Sequence, residues 1–390
     1  MIISILGMAG EFQGKATTAY YGCEALEKES KDYRNSTDVL LQNYDDDFYL
    51  LGTKEAIELQ KGILDTENKK VEFLSVDIDN LDEVFEKVFE LISKADTQKV
   101  LLDITHGFRD QSISAIFSAT LHHFLNQSNI EVIFAKQVVM HKKYEYMLLN
   151  DYINLTQLSL LLTGFIRTLN FVNSVEVDGL NTLAFENFSN ALLSNDFKKL
   201  KSSYLNLSAT LKQAKENKKF AHLKELFSQI EYELNDFNGF EKKEIYEKYM
   251  ILAKLMSKKN YYLLSITYLF EAIRLYSTYL FYRNRVIGQY AWDNFDMYGL
   301  NRDVMSCICQ KEFEDYRPTY YDRNNSNFYG KNSEIFEKIA SEYKKLRELR
   351  NNLTHINHKE SQPNIKKDLE GLLNNIDRLI SDNILKNIKR

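Results

Sequence analysis

Proline is nearly missing from this chain: Pro318 and Pro363 are the two among 390 residues. That scarcity excludes a Pro-rich linker and leaves long helices free to run. Cysteine is scarce as well. Cys23, Cys307 and Cys309 cannot make a disulfide framework, and no second Cys or His pair completes a zinc site, so they read as free thiols and no metal is expected. No apolar run reaches the roughly 18 residues of a membrane span. The opening Met1-Ile2-Ile3-Ser4-Ile5-Leu6-Gly7 lacks the basic segment and cleavage site of a signal peptide. The expectation is a cytoplasmic protein with no membrane partner.

Charge of one sign is not in large excess, the net being −5, but it is divided unevenly. Residues 1 to 150 hold 15 Lys and Arg against 25 Asp and Glu, and residues 151 to 390 hold 35 against 30. An excess this small excludes tight, general binding to nucleic acid, while making the second part the better RNA partner. The 25 tyrosines are read as more often packing than base-stacking platforms.

At 390 residues the chain is long enough for two domains. The first 150 residues alternate short apolar runs with helix-spaced segments. Ile2 to Leu6, Phe48 to Gly52, Val71 to Val76, Val100 to Ile104 and Glu131 to Lys136 read as strands, with Tyr144 to Leu149 as an edge strand. Lys54 to Leu64, Leu81 to Ser93 and Asp110 to Leu125 read as helices, as in Val84, Val88, Leu91 and Ile92. Such alternation predicts an α/β, Rossmann-like domain with a parallel sheet covered on both faces.

From Asn154 onward the periods are helical. Leu155 to Asn173, Thr182 to Ser194, Phe197 to Lys215, Phe220 to Leu234, Lys242 to Met256, Tyr261 to Arg283, Ser333 to Leu353 and Asn364 to Ile388 predict an all-α domain, with Asp293 to Gly330 as loop. Domain boundaries are expected at 1–150, 151–240 for a helical connector, and 241–390.

The candidate ligand loops follow two strands. After the first comes Gly7-Met8-Ala9-Gly10-Glu11-Phe12-Gln13-Gly14-Lys15-Ala16-Thr17-Thr18. Its glycines let backbone approach a phosphate, and Lys15, Thr17 and Thr18 supply donors; Gly7, Gly10 and Gly14 miss both the dinucleotide and the P-loop spacing. A plain turn reads equally well from the glycines alone. After Val100 to Ile104 comes Thr105-His106-Gly107-Phe108-Arg109, which joins the carboxyl end of a central strand to a helix N-terminus and so suits an anion. The blander reading has Asp110 as N-cap and His106 packing locally.

The strand Ile2 to Gly7, the Lys15 to Tyr21 segment and Asp103-Ile104-Thr105-His106-Gly107-Phe108-Arg109 resemble the CARF sensor domains of type III CRISPR systems. The resemblance implies a cyclic oligoadenylate activator bound across a homodimer by Gly7, Gly10, Gly14, Lys15, Thr17, Thr18, Thr105, His106, Gly107, Phe108 and Arg109. It implies no other cofactor.

Near the other end, Arg350-Asn351-Asn352-Leu353-Thr354-His355 sets a permanent cation and an imidazole about one helical turn apart. Chance alone comes close to supplying one match of such spacing in a chain with seven histidines, and an Arg and a His capping a helix end is the plain alternative. The context is what distinguishes it: Asn follows the Arg, and Ile339, Tyr343, Leu346 and Leu349 form an apolar stripe on the same helix. In that context the segment is similar to HEPN ribonucleases, in which a dimer joins two such helices into one site. The resemblance implies a metal-independent endoribonuclease for single-stranded RNA with Arg350, Asn351 and His355 as catalytic residues. His358 falls outside the motif and reads as surface.

The joint resemblance is to the CRISPR-associated CARF-HEPN ribonucleases, homodimers in which oligomers above the dimer are left open. Two other readings stand beside it: an enzyme that degrades cyclic oligoadenylate in the N-terminal domain, and a non-catalytic ligand-responsive regulator. Tyr268, Leu269, Phe270, Ile273 and Leu275 read as helix core, and Glu271 and Arg274 as helix charges of small effect. Lys242, Lys243, Lys248, Lys258 and Lys259 read either as guides for RNA or as a solvated face.

Overall fold

The computed structural model describes residues 1–12, 15–77, 79–95, 98–126, 128–140, 142–172, 177–294, 296–310, 328–354 and 364–381. The chain divides into two compact units, Met1–Thr163 with Phe171–Glu186, and Gly164–Asn170 with Asn187–Arg390.

The first unit runs β1 (Ile2–Ile5), a small hairpin of β2 (Glu11–Phe12) and β3 (Lys15–Ala16), β4 (Ala19–Gly22), β5 (Lys31–Tyr33), α1 (Ser36–Asn43), β6 (Asp47–Gly52), α2 (Lys54–Ile63), β7 (Lys70–Ser75), α3 (Leu81–Lys94), β8 (Val100–Asp103), α4 (Arg109–Asn126), β9 (Ile130–Val139) and β10 (Lys143–Leu148). Eight strands form one sheet in the order β5-β4-β10-β9-β8-β1-β6-β7. The run from β9 to β7 is parallel throughout, and β10 joins β9 antiparallel.

Chain order turns back at the centre: β6 and β7 lie to one side of β1, and β8 and β9 to the other. The sequence explains why β1 and β8 are central. Both are buried along their whole length, as strands covered on two faces must be. Alternation sends Ile2 to a core layer with Phe48, Leu50 and Leu40, and Ile3 and Ile5 to the opposite layer with Val84, Val88 and Ala115.

The expected strands and helices of this unit are present, but β10, expected at the edge of the sheet, lies inside it between β9 and β4, and β2, β3, β4, β5 and α1 are additional. Runs of three or four residues leave too little alternation to read, and the buried start of α1 is polar, Ser36-Thr37-Asp38.

Helices α5 (Asn150–Thr168) and α6 (Leu183–Leu193) each have residues in both units. The second unit is all-α: α7 (Phe197–Glu216), α8 (Lys224–Glu233), α9 (Ile245–Lys258), α10 (Tyr262–Arg283), α11 (Gln289–Asn294), α12 (Met297–Gln310), α13 (Phe328–Lys331), α14 (Ser333–Thr354) and α15 (Ile365–Ser381). Helix α10 is its axis. It packs on α9, α12, α14 and α15, and it is apolar nearly all round, as a helix buried on every side must be.

Two segments of the second unit also differ from expectation. Phe220 to Leu234 is a short 3-10 stretch, Lys218–Leu223, followed by α8, because the backbone at Phe220 leaves helical geometry. Part of 293–330 is helix rather than loop, since Leu300, Val304 and Ile308 recur every fourth residue and are buried along α12. Among the described residues no helix is long and apolar enough to cross a membrane.

Candidate functional site

Strand β1 delivers the Gly7 loop, and β8 delivers the Thr105–Arg109 loop, at the point where the sheet's strand order reverses. The two loops abut. A Cβ on Gly7 would lie 2.7 Å from the Gly107 backbone nitrogen and 3.1 Å from His106 Cβ, so only glycine permits this approach. Gly107 has φ +88°, and a Cβ there would lie 2.4 Å from Ile5 Cγ2.

The carbonyls of the first loop are turned inward. Buried Gln60 donates from Nε2 to Gly7 O at 2.7 Å and to Ala9 O at 2.9 Å. Asn35 Nδ2 donates to Ala9 O at 3.2 Å and to Gln60 Oε1 at 2.8 Å. In a trans peptide the next N–H points opposite to the carbonyl, so the Met8 and Gly10 N–H groups face away from this amide plug. Gly10 O accepts from Thr17 N–H at 2.8 Å. Lys15, Thr17 and Thr18 are exposed.

Beneath the second loop lies a buried polar network centred on Asp103. Its Oδ2 accepts from Ser4 Oγ at 3.1 Å and Ser36 Oγ at 2.7 Å, and its Oδ1 accepts from Thr105 N–H at 3.0 Å and Thr105 Oγ1 at 2.5 Å. Thr105 Oγ1 also accepts from Ala135 N–H at 2.9 Å. His106 Nε2 accepts from Ser36 N–H at 3.3 Å, so the imidazole takes up an orphan donor at the start of α1. Burial lowers its pKa, with the Asp103 carboxylate opposing.

Phe108 and Arg109 are exposed. Helix α4 begins at Arg109, so Phe108 precedes it and Asp110 sits in the first turn instead of capping it. The capping role falls to Gln111, whose Oε1 accepts Phe108 N–H at 3.3 Å while its buried Nε2 has no partner among the described residues.

The second candidate site lies on α14. The stripe anticipated there is present: Ile339, Leu346 and Leu349 are buried, and Tyr343 stacks on Phe270 at 5.0 Å between ring centroids. Arg350 is half-buried, its guanidinium carbon 4.6 Å from the centre of the Phe270 ring. Asn351 is exposed. Gly14, His355 and His358 lie outside the described residues, so the Arg350–His355 pair is described at one end only. A groove of about 470 Å³ runs between α14 and α15, lined by Glu348, Leu349 and Asn352 of α14 and by Lys367 and Asp368 of α15.

Phe270 is thus an organising ring, and Arg274 next to it is buried rather than an exposed helix charge. Lys258 and Lys259 are both bound to Glu233, at 2.8 and 2.7 Å, which ties them within the protein. Among the described residues no group of three His, Cys, Asp or Glu could hold a metal.

Sequence reasoning missed Asn35, Gln60 and Gln111 at the first site. Asn35-Ser36-Thr37-Asp38 is a helix-start signal and offered a route to Asn35. Gln60 lies mid-helix and gave none.

An open sheet with a reversal of strand order, crossed by α-helices, defines the first unit as a doubly wound α/β domain, the class in which ligands sit beyond the carboxyl ends of the strands. An all-α unit follows it. No protein-family model matches the chain, and no curated protein does. Among solved structures, that of Enterococcus italicus Csm6 bound to cyclic hexa-2'-fluoro-hexa-dAMP is similar at 12% identity over 99% of this chain and 94% of that chain, with a TM-score of 0.42. A likeness that distant bears on neither ligand nor activity.

Proposed function

We propose that this protein is a cyclic-oligoadenylate-activated, metal-independent endoribonuclease that cleaves single-stranded RNA in type III CRISPR defence, in the cytoplasm and as a homodimer. Residues 1–150 are the sensor, 151–240 a helical connector and 241–390 the ribonuclease. The observation that carries the reading is the contact of the Gly7 loop with the His106-Gly107 loop at the reversal of strand order. The Met8 and Gly10 N–H groups there point away from the Gln60 and Asn35 amides, with exposed Lys15 and Arg109 on the same two loops. Oriented N–H groups hold phosphates even in an acidic domain.

In the nuclease unit the ribose 2′-OH attacks the adjacent phosphorus and the 5′-oxygen leaves with a proton, giving a cyclic phosphate and a 5′-hydroxyl. Arg350 stabilises the dianion that develops, as a fixed cation able to grip two oxygens. His355 moves the proton or orients the 2′-OH near neutral pH. Asn351 orients the phosphate. Activation requires that the cyclic ligand bind the active dimer better than the resting one.

The test incubates labelled RNA with the protein, EDTA and, separately, cyclic tri-, tetra- and hexa-adenylate. Cutting is expected with one ring size and is expected to fall about 100-fold or more in Arg350→Ala and in His355→Ala. Loss of the ring itself with RNA untouched supports an enzyme acting on the cyclic ligand, and ring binding without turnover supports a regulator.

A further inference from the structure

The guanidinium of Arg274 is held in an unusual way. The residue is 4% exposed, its Nη1 donates to Glu271 Oε1 at 2.9 Å, its Nη2 donates to Tyr298 O at 3.3 Å, and its Nε has no partner among the described residues. A buried cation with an unmatched N–H is costly, and two aromatic rings supply the compensation. Its central carbon lies 5.4 Å from the Phe270 centroid and 5.0 Å from that of Tyr298.

The two rings differ in what else they do. Phe270 is buried under Tyr343 and Arg350. Tyr298 is 65% exposed. It is an aromatic ring fixed from behind by a buried cation, with the remainder of its surface in water. Core packing does not require that arrangement, because an exposed ring buries little apolar area. A flat, preorganised π-surface is what an unpaired nucleobase stacks on.

We propose that Tyr298 is the platform on which a base of single-stranded RNA stacks as its backbone passes Arg350, an inference that rests on the ribonuclease reading above. Three contacts join the two residues in series: Tyr298 to Arg274, Arg274 to Phe270, and Phe270 to Arg350. The alternation of ring and cation fixes the spacing between platform and catalytic guanidinium. The N-terminus of α12 does not compete for the phosphate, because Asp296 already accepts Tyr298 N–H at 3.2 Å and Gly299 N–H at 2.9 Å. A strand arriving here therefore meets the ring. Stacking tolerates any base, so Tyr298 sets position along the strand rather than sequence.

The test uses a short 2′-fluoro oligonucleotide, which lacks the attacking hydroxyl, with 2-aminopurine at successive positions and the activating cyclic oligoadenylate present. In the wild-type protein one position is expected to be quenched on binding. Tyr298→Ala is expected to weaken binding about 5- to 150-fold and to abolish that quench, whereas Tyr298→Phe and Tyr298→Trp retain both. A purely structural role would give no position-specific quench. Unchanged affinity and quench in Tyr298→Ala, or no quench at any position in the wild type, overturns the proposal. If Arg350→Ala still loses RNA cutting in that case, the ribonuclease reading survives; if the wild type neither binds nor cuts RNA, both fall.

Discussion

His106 is placed so that its charge state depends on a helix start. Its Nε2 accepts the Ser36 N–H at the positive end of α1, an arrangement available only to the neutral ring, and burial adds to the preference against the Asp103 attraction. The folded-state pKa is therefore below the unfolded value of about 6.5. Above that value both states are neutral and the histidine contributes nothing. As pH falls through it, the unfolded chain takes up a proton that the folded chain refuses, so stability is lost from about pH 7 downward until the folded pKa is reached. His106→Gln keeps an acceptor without the titration, and its melting temperature is expected to fall less steeply between about pH 7 and 5. His122, whose pKa burial also lowers, is present in both proteins and cancels. Parallel pH profiles for the two proteins would show that the ring is not held neutral.

At the scale of elements, β1, β8 and the loops that leave them act as one piece, because a backbone contact and a carboxylate lock them together. Gly107→Ala would set a Cβ against Ile5 Cγ2 and Leu6 O on a residue with φ +88°. The expected loss is about 2–5 kcal/mol, from left-handed strain and overpacking together. Urea unfolding measures it, and a midpoint equal to wild type would mean the loops do not abut.

Much of this was legible beforehand. Continuous apolar runs such as Val100 to Leu102 declare central parallel strands, and Leu346 and Leu349 declare the inner face of α14. What could not be read is contact between distant residues. Asp103 was visible as a polar residue ending a strand, yet its partners Ser4 and Ser36 lie 99 and 67 residues away. The same holds for Arg274, which looks like a surface charge until Phe270 and Tyr298 are seen around it. Helix α12 is hard to read because its apolar positions stand at the head of an Asn- and Tyr-rich stretch.

At the scale of the whole molecule the informative element is α4, whose outer face is apolar. Its fully buried residues are small or polar, Gln111, Ala115, Ser118, Ala119 and His122, with Ile116 and Phe124 partly buried against the core. Four large apolar residues, Ile113, Phe117, Leu121 and Leu125, recur every fourth position on its outer face and are 53%, 65%, 41% and 64% exposed. A monomer gains nothing from such a face, since each side chain forgoes part of the about 1.5–3 kcal/mol that full burial contributes. Patches of this kind mark interaction surfaces. A second copy of the chain is the occupant that fits the proposed function, because α4 starts at Arg109, directly after the ligand loop. A two-fold axis along it would set two copies of that loop side by side around one ring. Phe117→Glu with Leu121→Glu puts like charges on both partners of a self-complementary face. Light scattering on a sizing column is expected to show a dimer for the wild type and a monomer for the double variant. Affinity for the cyclic oligoadenylate is expected to fall about tenfold or more with the loss of half its contacts. A wild type that is monomeric at tens of micromolar, or a double variant that remains dimeric and binds the ring unchanged, would place the two-fold axis elsewhere and leave α4 without a partner.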